Sequence, residues 1–250
     1  MLRKYMEKEK AAYIILNNDR TNALSLPILS EIYGEVCRLE HKRDCHIVVL
    51  TSKYRGVFSS GLHLKSLYKH EDAGQTSLNI YKAVQLVKQI NQTIIHSKKI
   101  YIAALSGATI GSAVSIALAC DLRLGSVGTW FWLPDPQYGG ILEDGGLDLL
   151  VQKIGRSSAA SLALTNERIN ADKLFQWGIL NRFLNDNNFA QELEETISSM
   201  AANSFDTLSM TKRILNRELV IDTERTELED ILRKKEMFER IHAIFGNRGD

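Results

Sequence analysis

Short apolar runs and helical stripes alternate along this chain, and the pattern centres on residues 100–124. Residues 100–105 form an apolar run of the length a buried strand uses. Gly107 and Gly111 break it, and residues 112–120 are small and apolar on every side, as in a buried helix. Residues 11–16 and 46–51 are apolar runs that predict two more strands. Between them Ser25 and Pro27 open a helix with Ile28, Leu29, Ile32, Val36 and Leu39 on one face. Residues 62–68 predict a turn or two of helix, residues 69–76 a polar mobile segment, and Ile80, Ala83, Val84, Val87, Ile90 and Ile94 a long amphipathic helix. Beyond the centre, residues 147–154 and 157–164 read as helices parted by Gly155, and residues 171–177 as a helix stopped by Gly178. Three helical stripes follow: Phe189, Leu193, Ile197 and Met200; residues 208–219; and Leu228, Ile231, Leu232, Phe238, Ile241 and Phe245. Strands alternating with helices make this an α/β chain.

The 250 residues suffice for a substantial core. Lys and Arg number 31 against 30 Asp and Glu, a balance that leaves no electrostatic footprint for nucleic acid or an anionic membrane. Cys37, Cys45 and Cys120 lie in or beside apolar segments without metal or redox spacing, and read as buried thiols of a reducing compartment. The charged residues 1–10 lack a signal-peptide core and no apolar run reaches spanning length, so the expected location is the cytoplasm, with no membrane partner. Two features carry candidate chemistry. The buried helix begins at Gly111 to Ala113 with unpaired N–H groups and a positive dipole end, a place to hold negative charge developing on oxygen. Residues 130–146 concentrate aromatics, glycines, prolines and carboxylates in a loop.

Taken in order, Asn17-Asn-Asp-Arg-Thr-Asn-Ala-Leu24, Phe58-Ser-Ser-Gly-Leu-His-Leu64, Ser106-Gly-Ala-Thr-Ile-Gly-Ser-Ala113, Ala117-Leu-Ala-Cys-Asp-Leu-Arg123 and Leu133-Pro-Asp135 resemble the crotonase superfamily, the enoyl-CoA hydratase and isomerase family. The resemblance implies a ClpP/crotonase-like spiral of β-β-α units with two roughly perpendicular sheets. It divides the chain into an acyl-CoA-binding core over residues 1–190 and a helical trimerisation region over residues 191–250, and implies a homotrimer or a pair of trimers. It also implies an acyl-CoA thioester as substrate, coenzyme A being part of that substrate with no other cofactor and no metal. An enolate-like oxyanion would be held by two backbone N–H groups.

Carried over position by position, the first donor is Ser60 and the second Ser112. His63 stands where the motif has aspartate and reads as an altered cap or surface residue. The two glutamates of hydratases fall on Ser115 and Asp135. A serine cannot act as a carboxylate base, so a single-carboxylate isomerase with Asp135 as acid and base is favoured slightly over hydration. Glu143 is a second candidate, at the offset used by dienoyl-CoA isomerases and by hydrolases of the family, whereas Asp144 reads as a turn residue. Coenzyme A would lie along Arg20, Ala23, Leu24, Ser60, Leu62 and Leu64, with Arg20 as a phosphate partner. Trp130 and Trp132 would wall the acyl pocket or pack in the core. Residues 246–250 lack the family's usual basic tail, so a lysine clamp on coenzyme A is not expected. Thioester hydrolysis, decarboxylation and a non-catalytic CoA-binding protein are the rivals.

Overall fold

The computed structural model describes residues 2–6, 9–219, 221 and 227–246. Strand β1 (Leu2–Met6) pairs antiparallel with β2 (Ala11–Leu16), and helix α1 (Leu26–Glu40) follows. The chain then repeats one move, a strand in a first sheet, a strand in a second sheet, then helix. The first unit is β3 (Ile47–Ser52), β4 (Val57–Ser59), α2 (Leu64–Leu67) and α3 (Ala73–His96). The second is β5 (Ile100–Leu105), β6 (Ala108–Ile110) and α4 (Ser112–Ala119). The third is β7 (Leu122–Gly125), β8 (Trp130–Trp132), a 3-10 turn (Asp135–Tyr138) and α5 (Gly146–Leu164). After β9 (Ile169–Asn170), α6 (Ala171–Gln176) and β10 (Arg182–Phe183) come α7 (Phe189–Ala201), α8 (Phe205–Leu215), α9 (Glu227–Arg233) and α10 (Lys235–Phe245).

The sheets run β1-β2-β3-β5-β7-β10 and β4-β6-β8-β9. Neighbours from successive units are parallel in both, so each unit advances the two sheets together. The fold is the expected spiral of β-β-α units with C-terminal helices.

Period-two burial sorts the first sheet onto two cores. Ile14, Val48, Leu50, Tyr101 and Ala103 face α1, α3, α4 and α5, whereas Tyr13, Ile47, Val49, Ile100 and Ile102 face Leu193 and Ile197 of α7. Every residue of α4 is buried, as its all-round apolar sequence requires. Helix α5 is two helices joined at Gly155, at φ 74°. The polar stretch 69–76 is partly helix: Asp72 caps α3 by accepting the Gln75 N–H at 2.8 Å, and Thr76 Oγ1 accepts the Lys69 N–H at 2.8 Å. Helix α8 is anchored by Lys212, whose buried Nζ lies 2.9 Å from Asp121 Oδ2 and donates to the carbonyls of Ile94 and Lys99. Among the described residues no helix is long and apolar enough to cross a membrane.

Candidate active site

Because β4, β6 and β8 are parallel neighbours, their C-terminal ends open on one edge, and the segments leaving them meet there. These are residues 60–64, the start of α4, and Pro134 with Asp135, all on the wall of a cavity of about 460 Å³. The Gly111 N–H donates to the Trp132 carbonyl at 2.9 Å, extending the β6–β8 pairing up to the mouth of α4.

The backbone donors at this edge follow from pairing. Leu24 uses both of its main-chain groups on the 60–64 segment, donating to Gly61 O at 2.8 Å and accepting from His63 N at 3.0 Å. In such a parallel bridge the intervening residue, Leu62, turns its own N–H away from Leu24. That N–H has no acceptor among the described residues, and Leu62 lines the cavity. The Ser60 N–H, expected to be the first oxyanion donor, instead donates to Thr21 O at 2.9 Å. The main-chain N–H left free on the wall at this strand end is therefore that of Leu62, because Ser60 is committed to tying down the 17–24 loop. Ser112 is the first residue of α4, and its N–H has no partner within the helix. Gly61 brings the two donors together. It has φ +77°, and a Cβ there would lie 2.5 Å from Ile110 O, so only glycine lets the two segments touch.

Asp135 opens the 3-10 turn, and its Oδ2 is buried without a hydrogen-bond partner. Burial first, and then the charge of Asp144, push its carboxyl from 3.8 up to about 7. Asp144, read from sequence as a turn residue, is fully buried and also lines the cavity. Its Oδ1 accepts the Gly146 N–H at 3.1 Å, while Asn91 Nδ2 donates to its carbonyl at 2.9 Å. Burial raises its pKa, and the hydroxyls of Ser112 and Ser115 beside it offset part of that rise, although neither closes a hydrogen bond of normal geometry onto Oδ2. Glu143 is buried but is not on the cavity wall. The chain turns at this point, with Glu143 N–H bonded to Ile141 O, and it is Asp144 that faces inward.

Of the expected coenzyme A contacts, Ala23, Ser60, Leu62 and Leu64 line the cavity. Leu24 does not, since its side chain packs in the core, and Arg20 stands exposed in the turn outside the wall, where Thr21 takes its place. His63 occupies the N-cap of α2 and reaches the wall beside Lys65. Trp132 lines the cavity and Trp130 does not, and the Arg168 guanidinium lies 4.9 Å from each indole. Burial pushes the Cys120 thiol up to about 12, which keeps it protonated.

The far wall comes from the chain's own C-terminal helices, through Leu228, Met237 and Phe245. A hydrogen bond of 2.5 Å between Tyr68 Oη and His242 Nδ1, and another from Ser77 Oγ to Leu232 O at 3.1 Å, hold them down. Of the C-terminal helices, α7 begins at Phe189 and packs on the first sheet, and α9 and α10 cover the cavity. The expectation about the tail at residues 247–250 lies outside the described residues.

The sequence model of the enoyl-CoA hydratase/isomerase family matches residues 6–243. The chain belongs to that family. It is 25% identical to the putative enoyl-CoA hydratase/isomerase YngF of Bacillus subtilis, over 87% of this chain and 82% of that one. It is 26% identical to a trans-2-decenoyl-[acyl-carrier-protein] isomerase of Streptococcus mutans, over 78% and 73%. Among solved structures, an enoyl-CoA hydratase from Bacillus halodurans shares the fold with a TM-score of 0.86 at 21% identity, covering 97% of this chain and 98% of that one. The chain is thus an enzyme of the crotonase superfamily.

Proposed function

We propose that this enzyme moves the double bond of an enoyl thioester of coenzyme A between the 3 and 2 positions. The thioester oxygen sits between the N–H groups of Leu62 and Ser112, at the positive end of α4, where negative charge on oxygen is stabilised without reorganisation. Ionised Asp135 takes a proton from C2. The electron pair spreads over a dienolate whose oxygen the two N–H groups hold, and a proton delivered at C4 completes the migration. A carboxyl that titrates near 7 is matched to giving and taking protons near neutrality. The observation that carries the reading is the buried, unpartnered Oδ2 of Asp135 on the same wall as the two donors, with a serine at 115. No cofactor beyond the coenzyme A of the substrate enters this scheme.

Part of the same reading is assembly as a cytoplasmic trimer or pair of trimers, which light scattering tests. Met210, Ile214 and Leu215 of α8, between 57% and 75% exposed, are consistent with a further interface.

The experiment is mass spectrometry of 2-enoyl, 3-enoyl and 3-hydroxyacyl CoA thioesters incubated with the protein in D2O. Deuterium uptake with migration supports the proposal. Gain of water would make the enzyme a hydratase, release of free coenzyme A a hydrolase, and binding without change a non-catalytic member.

A further inference from the structure

A second cavity, of about 520 Å³, lies at the carboxyl ends of the parallel strands β2, β3, β5 and β7, and it shares no residue with the first. Such a strand-end crevice is where open parallel sheets take ligands, and the volume is that of a small-molecule site. All three connections between the sheets run along its wall: residues 53–56 from β3 to β4, Ser106 and Gly107 from β5 to β6, and Ser126 and Gly128 from β7 to β8. The strands they enter have three residues each and lead to Leu62, Ser112 and Asp135. The two cavities therefore sit at opposite ends of β4, β6 and β8, about 10 Å of strand apart.

This wall suits an anion. The N–H groups of Gly56, Gly107 and Gly128 have no acceptor among the described residues. Gly56 and Gly107, at φ +83° and +85°, bring their main chains together, and a Cβ on Gly107 would collide with the Gly56 carbonyl. Unpaired N–H groups gathered in such turns form an anion-binding concavity. Ser126 is the observation that points to a ligand. It is 1% exposed, with its N–H spent on Leu105 O and its carbonyl on the Thr129 N–H. Its hydroxyl nonetheless has no partner among the described residues, and it stands on the cavity wall. Lys53 and Arg55 add exposed cations, and the first turn of α7, whose N-cap Asn188 makes no side-chain cap, closes the wall through Phe189 and Ala190.

The rest of the wall decides what carries the charge. Asp186 and Glu194 stand on the α7 side, which argues against a ligand charged along its whole length. Tyr54, Phe189 and Leu193 favour a planar, partly apolar body. A phosphate brings three acceptor oxygens to a wall with this many donors, and an exposed carboxylate such as Asp186 suits the hydroxyls of a sugar. We propose that this cavity is a second ligand site that takes a nucleoside monophosphate, its phosphate on the Gly56, Gly107 and Gly128 N–H groups and the Ser126 hydroxyl. No residue of the first cavity enters this site, which stands whether or not the enzyme is an isomerase.

The test is titration of the full chain with adenosine monophosphate, read at the backbone amide resonances. Those of Gly56, Gly107 and Gly128 should shift and saturate together, and adenosine should bind at least about tenfold more weakly for want of the charge-assisted hydrogen bonds. Ser126→Ala, which keeps the volume and removes the hydroxyl, should weaken the monophosphate about tenfold. Lys53→Met with Arg55→Met should weaken it by a similar factor and remove most of its dependence on salt. If Ser126→Ala does not fold, this exposed pair decides. Adenosine binding as tightly as the monophosphate, an affinity unchanged in the variants, or saturable shifts confined to the first cavity would each overturn the site. So would the absence of any shift at the three glycines at millimolar nucleotide.

Discussion

Replacing Asp135 by asparagine should stabilise the protein, and the gain should depend on pH in a way that reports on the carboxyl itself. The folded chain holds this group at about 7 against an ordinary 3.8. A folded-state pKa raised above the unfolded one means stability that is complete below the unfolded value and is lost as pH rises toward the folded one. The cost accumulates between about pH 4 and pH 7 and is constant above, because there both states are ionised. At about 1.4 kcal/mol for each tenfold, it reaches roughly 4 kcal/mol at pH 7 and above. This is an upper value, since the residue is partly exposed even though Oδ2 is not. Asparagine carries no charge and pays none of it. For a chain of this size about 2–4 °C accompanies each kcal/mol, so the variant should melt up to roughly 10 °C higher at pH 7.5 and within about 2 °C of wild type at pH 4. Thermal unfolding followed by circular dichroism across that range checks it. His63, Lys65 and Tyr138 share the wall and remain in both proteins, so they cancel to first order, whereas Asp144 loses a like-charged neighbour in the variant, which adds to the gain in the same direction. A difference between the two melting curves that does not change with pH, or that favours wild type at neutrality, would refute the buried charge. The same variant should lose about 100-fold or more in turnover while still binding coenzyme A thioesters.

Gly61→Ala places a methyl group within 2.5 Å of Ile110 O at a φ of +77°, so the segments carrying Leu62 and Ser112 must separate. Turnover should fall about 100-fold, the order expected for displacing a positioned group by about 1 Å, with thioester affinity changed only a few-fold. Unaltered turnover would mean that these donors do not act on one oxygen. Lys212→Met leaves Asp121 in the interior without its cation and should cost about 3–5 kcal/mol. Adding Asp121→Asn should recover part of that loss in denaturant unfolding, and no recovery would show that Lys212 acts through its packing rather than its charge.

The fold was legible where burial is decided locally. Residues 47–50 and 100–105 are apolar throughout because their strands are covered on both faces, and α4 is buried all round for the same reason. Gly155 and Gly178 mark breaks at positive φ that few other residues adopt. The start of α3 was harder to see, because its first turn is polar and only the Asp72 side chain on the Gln75 N–H makes it helix rather than loop. The site was legible to within a residue or two at each strand end. Ser60 could not be separated from Leu62 by composition, since which N–H is spent depends on a pairing with Leu24 across 38 positions of sequence. Arg20 and Leu24 lie off the cavity wall for a similar reason, one turned to solvent and the other into the core by a turn whose Asp19 carboxylate takes the Thr21 N–H at 2.7 Å. Asp144 did leave a signal: an aspartate two residues before the helix residue Gly146 is placed to cap it, and a capping carboxylate has a second oxygen to spend.

The parts of the site that are main chain and the parts that are side chain obey different constraints. In the proposed isomerase reading the oxyanion donors are set by the register of β4 and β6 and by the start of α4, so Leu62 and Ser112 tolerate side-chain change as long as Gly61 allows the two segments to touch. The proton carriers have no such scaffold, because a carboxylate must be supplied by some residue and can be supplied from another element if the space is opened. Here Ser115 of α4 lies beside Asp144, and Asp144, from the loop before α5, is a carboxylate on the cavity wall, while α4 stays buried on every side. A site built this way changes its acid and base without changing its fold, and Asp144→Asn with Ser115→Glu is the pair that tests it. If position 115 and Asp144 serve the same space, glutamate at 115 should restore at least about tenfold of the rate that Asp144→Asn loses. A double variant no faster than Asp144→Asn would mean that the two positions are not interchangeable.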